Sequence, residues 1–212
     1  MKRAKFEKRS QCDRLGINSH ADRRHAIVIG GSIAGLLTAR ILSDHFSQVT
    51  LIERDRFSDR AAARKSQPHA QHSHALLTQG KEILHHYFPD LLESLEQGGA
   101  VAADAGKSRW YIAGKYRLQY ESGMTGISCS RPFLEQQIRN RVILRSNISV
   151  LDECLVEGLL TRPDPTAAKG SIVIGVKLRT VQSADALAVP RLTADVIMAD
   201  LVRAFVFLCK RS

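Results

Sequence analysis

Between Ala26 and Glu53 the chain switches from strand to helix and back so abruptly that few folds accommodate it. Ala26-Ile27-Val28-Ile29 is a continuous apolar run closed by Gly30-Gly31, the pattern of a short strand covered on both faces. From Ser32 to Phe46 the apolar positions Ile33, Leu36, Leu37, Ile41 and Leu42 recur at helical spacing. Val49-Thr50-Leu51-Ile52 is a second buried strand, ending on Glu53. Strand, helix and strand in so short a span form a βαβ unit, and its right-handed crossover requires a parallel sheet.

The turn between the first strand and the helix carries chemistry. Gly30-Gly31-Ser32-Ile33-Ala34-Gly35 fits G-x-G-x-x-G with Ser32 in place of the second glycine. The first glycine permits the tight turn, a small middle residue admits a pyrophosphate to the backbone, and Gly35 allows close packing of helix on strand. The helix start adds free N–H donors and a positive dipole end. Glu53 follows Gly30 by 23 residues, where a carboxylate accepts the hydroxyls of an adenosine ribose. The reading is a dinucleotide site, with a bare glycine-rich turn as the alternative. A 2′-phosphate would clash with Glu53, which disfavours NADP there; FAD and NAD both remain.

Composition narrows the class. The chain has 212 residues, 44% hydrophobic and 25% charged, which excludes collagen, a disulfide mini-protein and a wholly disordered chain. No apolar run reaches the roughly 18 residues of a transmembrane helix, so no transmembrane segment is expected. The formal net charge is +10, but it sits at the ends. Residues 1–24 hold eight basic and three acidic side chains, and residues 203–212 three basic and none acidic. A near-neutral body with basic ends implies a solvated arm and no specific nucleic-acid partner. Cys12, Cys129, Cys154 and Cys209 form no CxxC pair, and no secretory signal precedes the first strand. Free thiols in a reducing cytoplasm are therefore expected.

Further along, residues 54–73 read as a polar loop, with a helix from about His74 to Phe88 and a shorter one from Asp90 to Gln97, closed by Gly98-Gly99. Residues 100–121 alternate in places and predict two or three antiparallel strands. Ser130-Arg131-Pro132 opens another helix, with Ser130 as N-cap and Glu135 near the positive end, running to about Arg145. Ile148–Leu151 is a third parallel strand. Cys154–Thr161 and Ser171–Thr180 predict a hairpin, and Leu192–Met198 is one more apolar run.

The run VIGGSIAGLLTARILSDHFSQVTLIERDR resembles the start of the FAD-dependent aromatic-ring hydroxylase and monooxygenase superfamily, the para-hydroxybenzoate hydroxylase-like flavoproteins. QPHAQHSHALLTQGKEILHHYFPDLLESLEQGGA and SRPFLEQQIRNRV extend that resemblance over residues 25–197. It implies an α/β fold: a Rossmann-like FAD-binding domain with a parallel sheet, an antiparallel excursion and a β-meander. It also implies FAD on Gly30, Gly31, Ser32, Ile33, Ala34, Gly35, Glu53 and Arg54, with Arg131 against the cofactor. The solvated helix-start arginine is the alternative for Arg131. NAD(P)H as co-substrate and O2-dependent hydroxylation of an aromatic or polyketide-like small molecule come from the resemblance alone.

The chain departs from that pattern at its end. Ala194-Asp195-Val196-Ile197 begins the family's second flavin motif, D-A-x-G, but Met198-Ala199-Asp200 follows without its glycine. The expectation is a basic arm at 1–24, an incomplete FAD-binding domain at 25–197 and a tail at 198–212 outside the family pattern, with the C-terminal substrate domain missing. Self-association through uncovered apolar surface would follow. Two readings stand: the FAD-binding portion of a monooxygenase-type oxidoreductase, or a truncated, non-catalytic nucleotide-binding remnant or scaffold. The His69, His72 and His74 cluster, with His85 and His86, invites a metal, but no Cys or clustered carboxylate accompanies it and no metal site is assigned. The resemblance puts Gln71, His72 and His74 on the cofactor or substrate side; ordinary loop and helix histidines are the alternative. Trp110, Tyr111, Tyr116 and Tyr120 face a core or a substrate, the core being favoured. No catalytic residue is legible.

Overall fold

The computed structural model describes residues 24–58, 60–61, 73–165, 170–180, 191–201 and 204–209. β1 (His25–Ile29), α1 (Ile33–Leu42) and β2 (Gln48–Ile52) form the expected opening unit. β3 (Ser73–Leu76), α2 (Thr78–Tyr87), α3 (Leu91–Gln97) and β4 (Val101–Asp104) follow, then a 3-10 turn at Ala105–Lys107 and the short strands β5 (Tyr111–Ile112) and β6 (Lys115–Tyr116). β7 (Thr125–Ser130) leads into α4 (Arg131–Val142) and β8 (Ile148–Leu151). The chain closes with β9 (Cys154–Pro163), β10 (Ser171–Thr180), β11 (Arg191–Thr193), β12 (Val196–Leu201) and β13 (Ala204–Cys209).

The principal sheet has the order β13-β12-β1-β2-β8, with β12, β1, β2 and β8 parallel and β13 antiparallel on β12. Its period-two alternation feeds two cores. Ala26, Val28, Val49, Leu51 and Ile148 pack on one face against Leu36 and Ala39 of α1 and Leu134, Ile138 and Val142 of α4. Ile27, Ile52 and Ile197 point to the other face and meet Val176 and Leu178 of the antiparallel β9–β10–β11 meander. Each such buried Ile, Leu or Val contributes roughly 1.5–3 kcal/mol, which explains why a continuous apolar run serves a strand covered on both sides. The result is a layer of helices, a parallel sheet and a β-meander, the α/β architecture expected.

Several boundaries differ from expectation for identifiable reasons. The helix expected from His74 begins only at Thr78, because residues 73–76 pair antiparallel with β7. β7 itself was not expected: only Ile127 in Thr125–Ser130 is buried, so its apolar signal is faint. α1 ends at Leu42 and α4 at Val142, each a turn short of the predicted end. The single run Leu192–Met198 divides at Ala194-Asp195, with β11 in the meander and β12 in the parallel sheet. The boundary drawn at residue 197 falls inside β12.

The aromatic excursion is the clearest correction. Trp110, Tyr111, Tyr116 and Tyr120 are half or more exposed, not core residues. β5 and β6 pair only with each other, so the excursion has no second layer to bury them against. The aromatics instead meet one another and nearby cations, Tyr111 on Tyr116 and Arg109 and Arg117 over the rings of Tyr116 and Tyr120. Asp104 staples the base of this excursion, accepting from the N–H groups of Gly106, Ser122 and Gly123 and from the Ser122 hydroxyl.

Candidate functional site

The site forms where β1 gives way to α1. The Gly30 N–H donates to the Ile52 carbonyl at 2.8 Å, carrying the β1–β2 pairing to the lip of the turn. Gly30 then takes φ +101°, a left-handed conformation that favours glycine. Gly35 lies so close beneath the turn that a Cβ there would meet the Gly30 carbonyl oxygen at 1.8 Å. These are the roles the spacing assigned to the first and third glycines.

Glu53 is buried and fully engaged with backbone. Its Oε2 accepts the Gly31 N–H at 2.6 Å, and its Oε1 accepts the Asp55 N–H at 2.9 Å. Its own backbone is pinned to β8 and the start of β9: the N–H donates to the Leu151 carbonyl and its carbonyl accepts from Cys154. A carboxylate held by two N–H groups is fixed in orientation.

α1 starts without a side-chain cap and has no acidic residue in its first turn. The N–H groups at its start therefore have no intrahelical partner, and no side chain of the helix's own first turn answers the positive end of its dipole. Ile33 and Ala34 occupy this first turn. The Ser32 hydroxyl, free of capping duty, accepts from Arg131 Nη2 at 3.1 Å. Arg131 comes from the first turn of α4, where Ser130 caps through the Phe133 N–H and Pro132 occupies a position that needs no donor.

Arg131 Nε is buried and has no hydrogen-bond partner among the described residues. Arg145 Nε is in the same condition, but that guanidinium is already neutralised by Asp44 at 2.7 Å. Among the described residues the Arg131 guanidinium is met by a neutral hydroxyl, with no carboxylate paired to it. An orphaned guanidinium N–H over an uncapped helix start and a cradle of small residues fits the diphosphate of a dinucleotide: the residues present match the chemistry of that group.

The remaining candidates are dispersed. Arg54 is exposed and its Nε lies 3.8 Å from Asp55. His74 sits on β3 opposite Cys129, and His85 and His86 are exposed in the last turn of α2. His69, His72 and Gln71 lie outside the described residues, as does the arm through residue 23. Among the described residues no three His, Cys, Asp or Glu side chains gather as metal ligands, and no helix is long and apolar enough to cross a membrane. Cys129 and Cys154 are free thiols. Burial pushes both up from the ordinary thiol range, aided at Cys154 by Asp152 and Glu153, which keeps both protonated.

The parallel sheet, its glycine-rich turn and the helices on one face define an α/β class of fold. More narrowly, the chain has the fold of the FAD-dependent monooxygenases. PqsL of Pseudomonas aeruginosa, solved in complex with 2-aminobenzoylacetate, superposes with a TM-score of 0.60 at 18% identity, over 84% of this chain and 43% of PqsL. The tetrameric form of 2-methyl-3-hydroxypyridine-5-carboxylic acid oxygenase gives 0.53 at 22% identity, over 83% of this chain and 38% of the oxygenase. In sequence, Protein Rv3254 of Mycobacterium tuberculosis is 33% identical over 185 residues, 84% of this chain. The chain spans only 36% of the length of that relative. No protein-family model matches it.

Proposed function

We propose that residues 25–197 are the FAD-binding portion of a monooxygenase-type flavin-dependent oxidoreductase. The single observation that supports this most is the buried, unpartnered Arg131 Nε beside Ser32 at the uncapped start of α1. Gly30, Gly31, Ser32, Ile33, Ala34 and Gly35 cradle the diphosphate; Arg131 donates to it; Glu53 accepts the ribose hydroxyls. Bound there, FAD supplies redox chemistry that no side chain provides. The chain's own residues bind and orient: they neutralise two phosphates with helix N–H groups and one guanidinium, and fix the ribose through one carboxylate. NAD(P)H as reductant and O2 as oxidant extend the reading from the sequence resemblance alone. An aromatic small molecule as substrate agrees with the 2-aminobenzoylacetate bound by PqsL, and a cytoplasmic location follows from the absence of CxxC pairs in the sequence.

Calorimetric titration of the full chain with ADP and with FAD tests the reading. Wild type binds both. Gly30→Val fills the space beside the diphosphate and abolishes binding, and Glu53→Ala weakens it by roughly 1–3 kcal/mol through lost charged hydrogen bonds. Equal affinities in all three proteins would overturn the assignment. A non-catalytic nucleotide-binding remnant or scaffold is separated by the next measurement, NAD(P)H oxidation by the FAD-loaded chain with and without small aromatic acids.

A further inference from the structure

Phe57 stands beside the glycine-rich turn without being part of its motif. A Cβ built on Gly31 would meet the tip of the Phe57 ring at 2.4 Å and the Glu53 Cβ at 3.1 Å, so ring, turn and acid are in mutual contact. The ring is held in place from two other elements. Arg139, buried in α4, lays its guanidinium 4.9 Å from the ring centroid and donates from Nη2 to the Ser58 carbonyl. Asp152, just past β8, accepts the Phe57 N–H at 2.9 Å. Thus the segment after β2 is clamped between α4 and the end of β8, with the tip of its aromatic ring against the turn.

The consequence falls on Glu53. Its carboxylate orientation depends on two N–H donors, Gly31 and Asp55. Gly31 follows a left-handed Gly30 and has no side chain, so the surface packed against its Cα helps to fix the peptide that carries this N–H. Phe57 is that surface. We propose that Phe57, clamped by Arg139 and Asp152, is the positioning residue that aims Glu53 at a ribose diol. The inference rests on the nucleotide reading above and concerns only how the acid is oriented.

A mere packing role lowers affinity for every ligand alike; a positioning role alters discrimination between ligands that differ in one ribose hydroxyl. The full chain is titrated calorimetrically with ADP and with 2′-deoxy-ADP. Wild type prefers ADP by roughly tenfold or more, the effect of one hydrogen bond to a charged acceptor. Phe57→Ala and, through the same ring, Arg139→Gln bring the preference below about threefold, while 2′-deoxy-ADP affinity stays within about twofold of wild type. Phe57→Tyr keeps the ring and restores the preference. Where Phe57→Ala fails to fold, Arg139→Gln and Phe57→Tyr carry the comparison. Equal weakening of both ligands, or an unchanged preference in the variants, overturns the positioning role and leaves the nucleotide site standing. Wild type binding neither ligand overturns both.

Discussion

Arg131 Nη2 donates to the Ser32 hydroxyl at 3.1 Å, joining the first turn of α4 to the N-cap of α1 across 99 residues of sequence. Both helix N-termini and a guanidinium thereby converge on one small volume. Glu53 answers part of that positive potential through the Gly31 N–H, and the Arg131 guanidinium adds to what is left for an anion. Replacing Arg131 with alanine separates binding from stability. ADP affinity falls by roughly 1.5–3 kcal/mol, the worth of a hydrogen bond to a charged group, while the thermal midpoint does not drop because a buried orphan N–H has been removed. Calorimetry and a thermal scan check the pair; unchanged affinity would refute the role.

Two glycine-to-alanine changes divide a backbone clash from a side-chain one. At Gly35 the new methyl would meet the Gly30 carbonyl oxygen at 1.8 Å, and neither partner can yield without breaking the turn. Destabilisation at or above the ~3 kcal/mol end of the overpacking range is expected. At Gly80 the neighbour is Leu76 Cδ1 at 2.9 Å, the far end of a flexible side chain. There the change is neutral or stabilises by up to ~1 kcal/mol through helix propensity in α2. Urea unfolding of both variants decides it.

Asp104 gives the excursion its pH limit. The Ser122 hydroxyl, then the N–H groups of Gly106, Gly123 and Ser122, hold its carboxyl down from 3.8 to about 2. A depressed carboxylate stabilises the folded form above its unfolded value, and that contribution is lost as pH falls through the folded one. Hydrogen exchange at Gly106 and Gly123 should therefore stay slow down to about pH 4 and accelerate towards about pH 2. Asp104→Asn should show fast exchange at neutral pH. Protection unaffected by the substitution would count against the staple.

Trp110 is the chain's one tryptophan and is 53% exposed. In dilute solution its emission should lie near that of a solvated indole. Iodide should quench it more strongly than caesium, because Arg109 and Arg117 belong to the same excursion. A blue-shifted, quencher-resistant spectrum at low concentration would mean that the excursion is covered. A blue shift that grows with concentration would mark these aromatics as the self-association surface.

The legible parts of the sequence were those where one local rule dominates. Ala26–Ile29 and Val49–Ile52 announce themselves because a doubly covered strand leaves no polar positions. Gly30 and Gly35 are fixed by spacing because the turn and the close packing of helix on strand each need a glycine. Ser130 was readable as a cap because its partner N–H is three residues away. Contacts across the fold were not. Nothing local to Ser73–Leu76 or Thr125–Ser130 reveals that they pair with each other, since their hydrogen bonds are backbone ones and only Ile127 is buried between them. Phe57 escaped notice for the same reason: it reads as one apolar residue in a polar loop, and its importance comes from Arg139, 82 positions later. Trp110 to Tyr120 misled because alternation reports a two-sided strand without reporting what covers either side.

β1 is flanked on one side by β2 and on the other by β12, and His25 and Asp195, which exchange backbone and side-chain hydrogen bonds there, are 170 residues apart. During synthesis at about 5–20 residues per second, the middle strand of the sheet has one vacant edge for roughly 10–30 s after it leaves the ribosome. That edge belongs to an apolar segment, the kind that recruits foreign strands. The architecture therefore makes the birth of this protein slower and riskier than its βαβ opening suggests: β1 emerges well before β12, and until then its open edge must be kept from other chains.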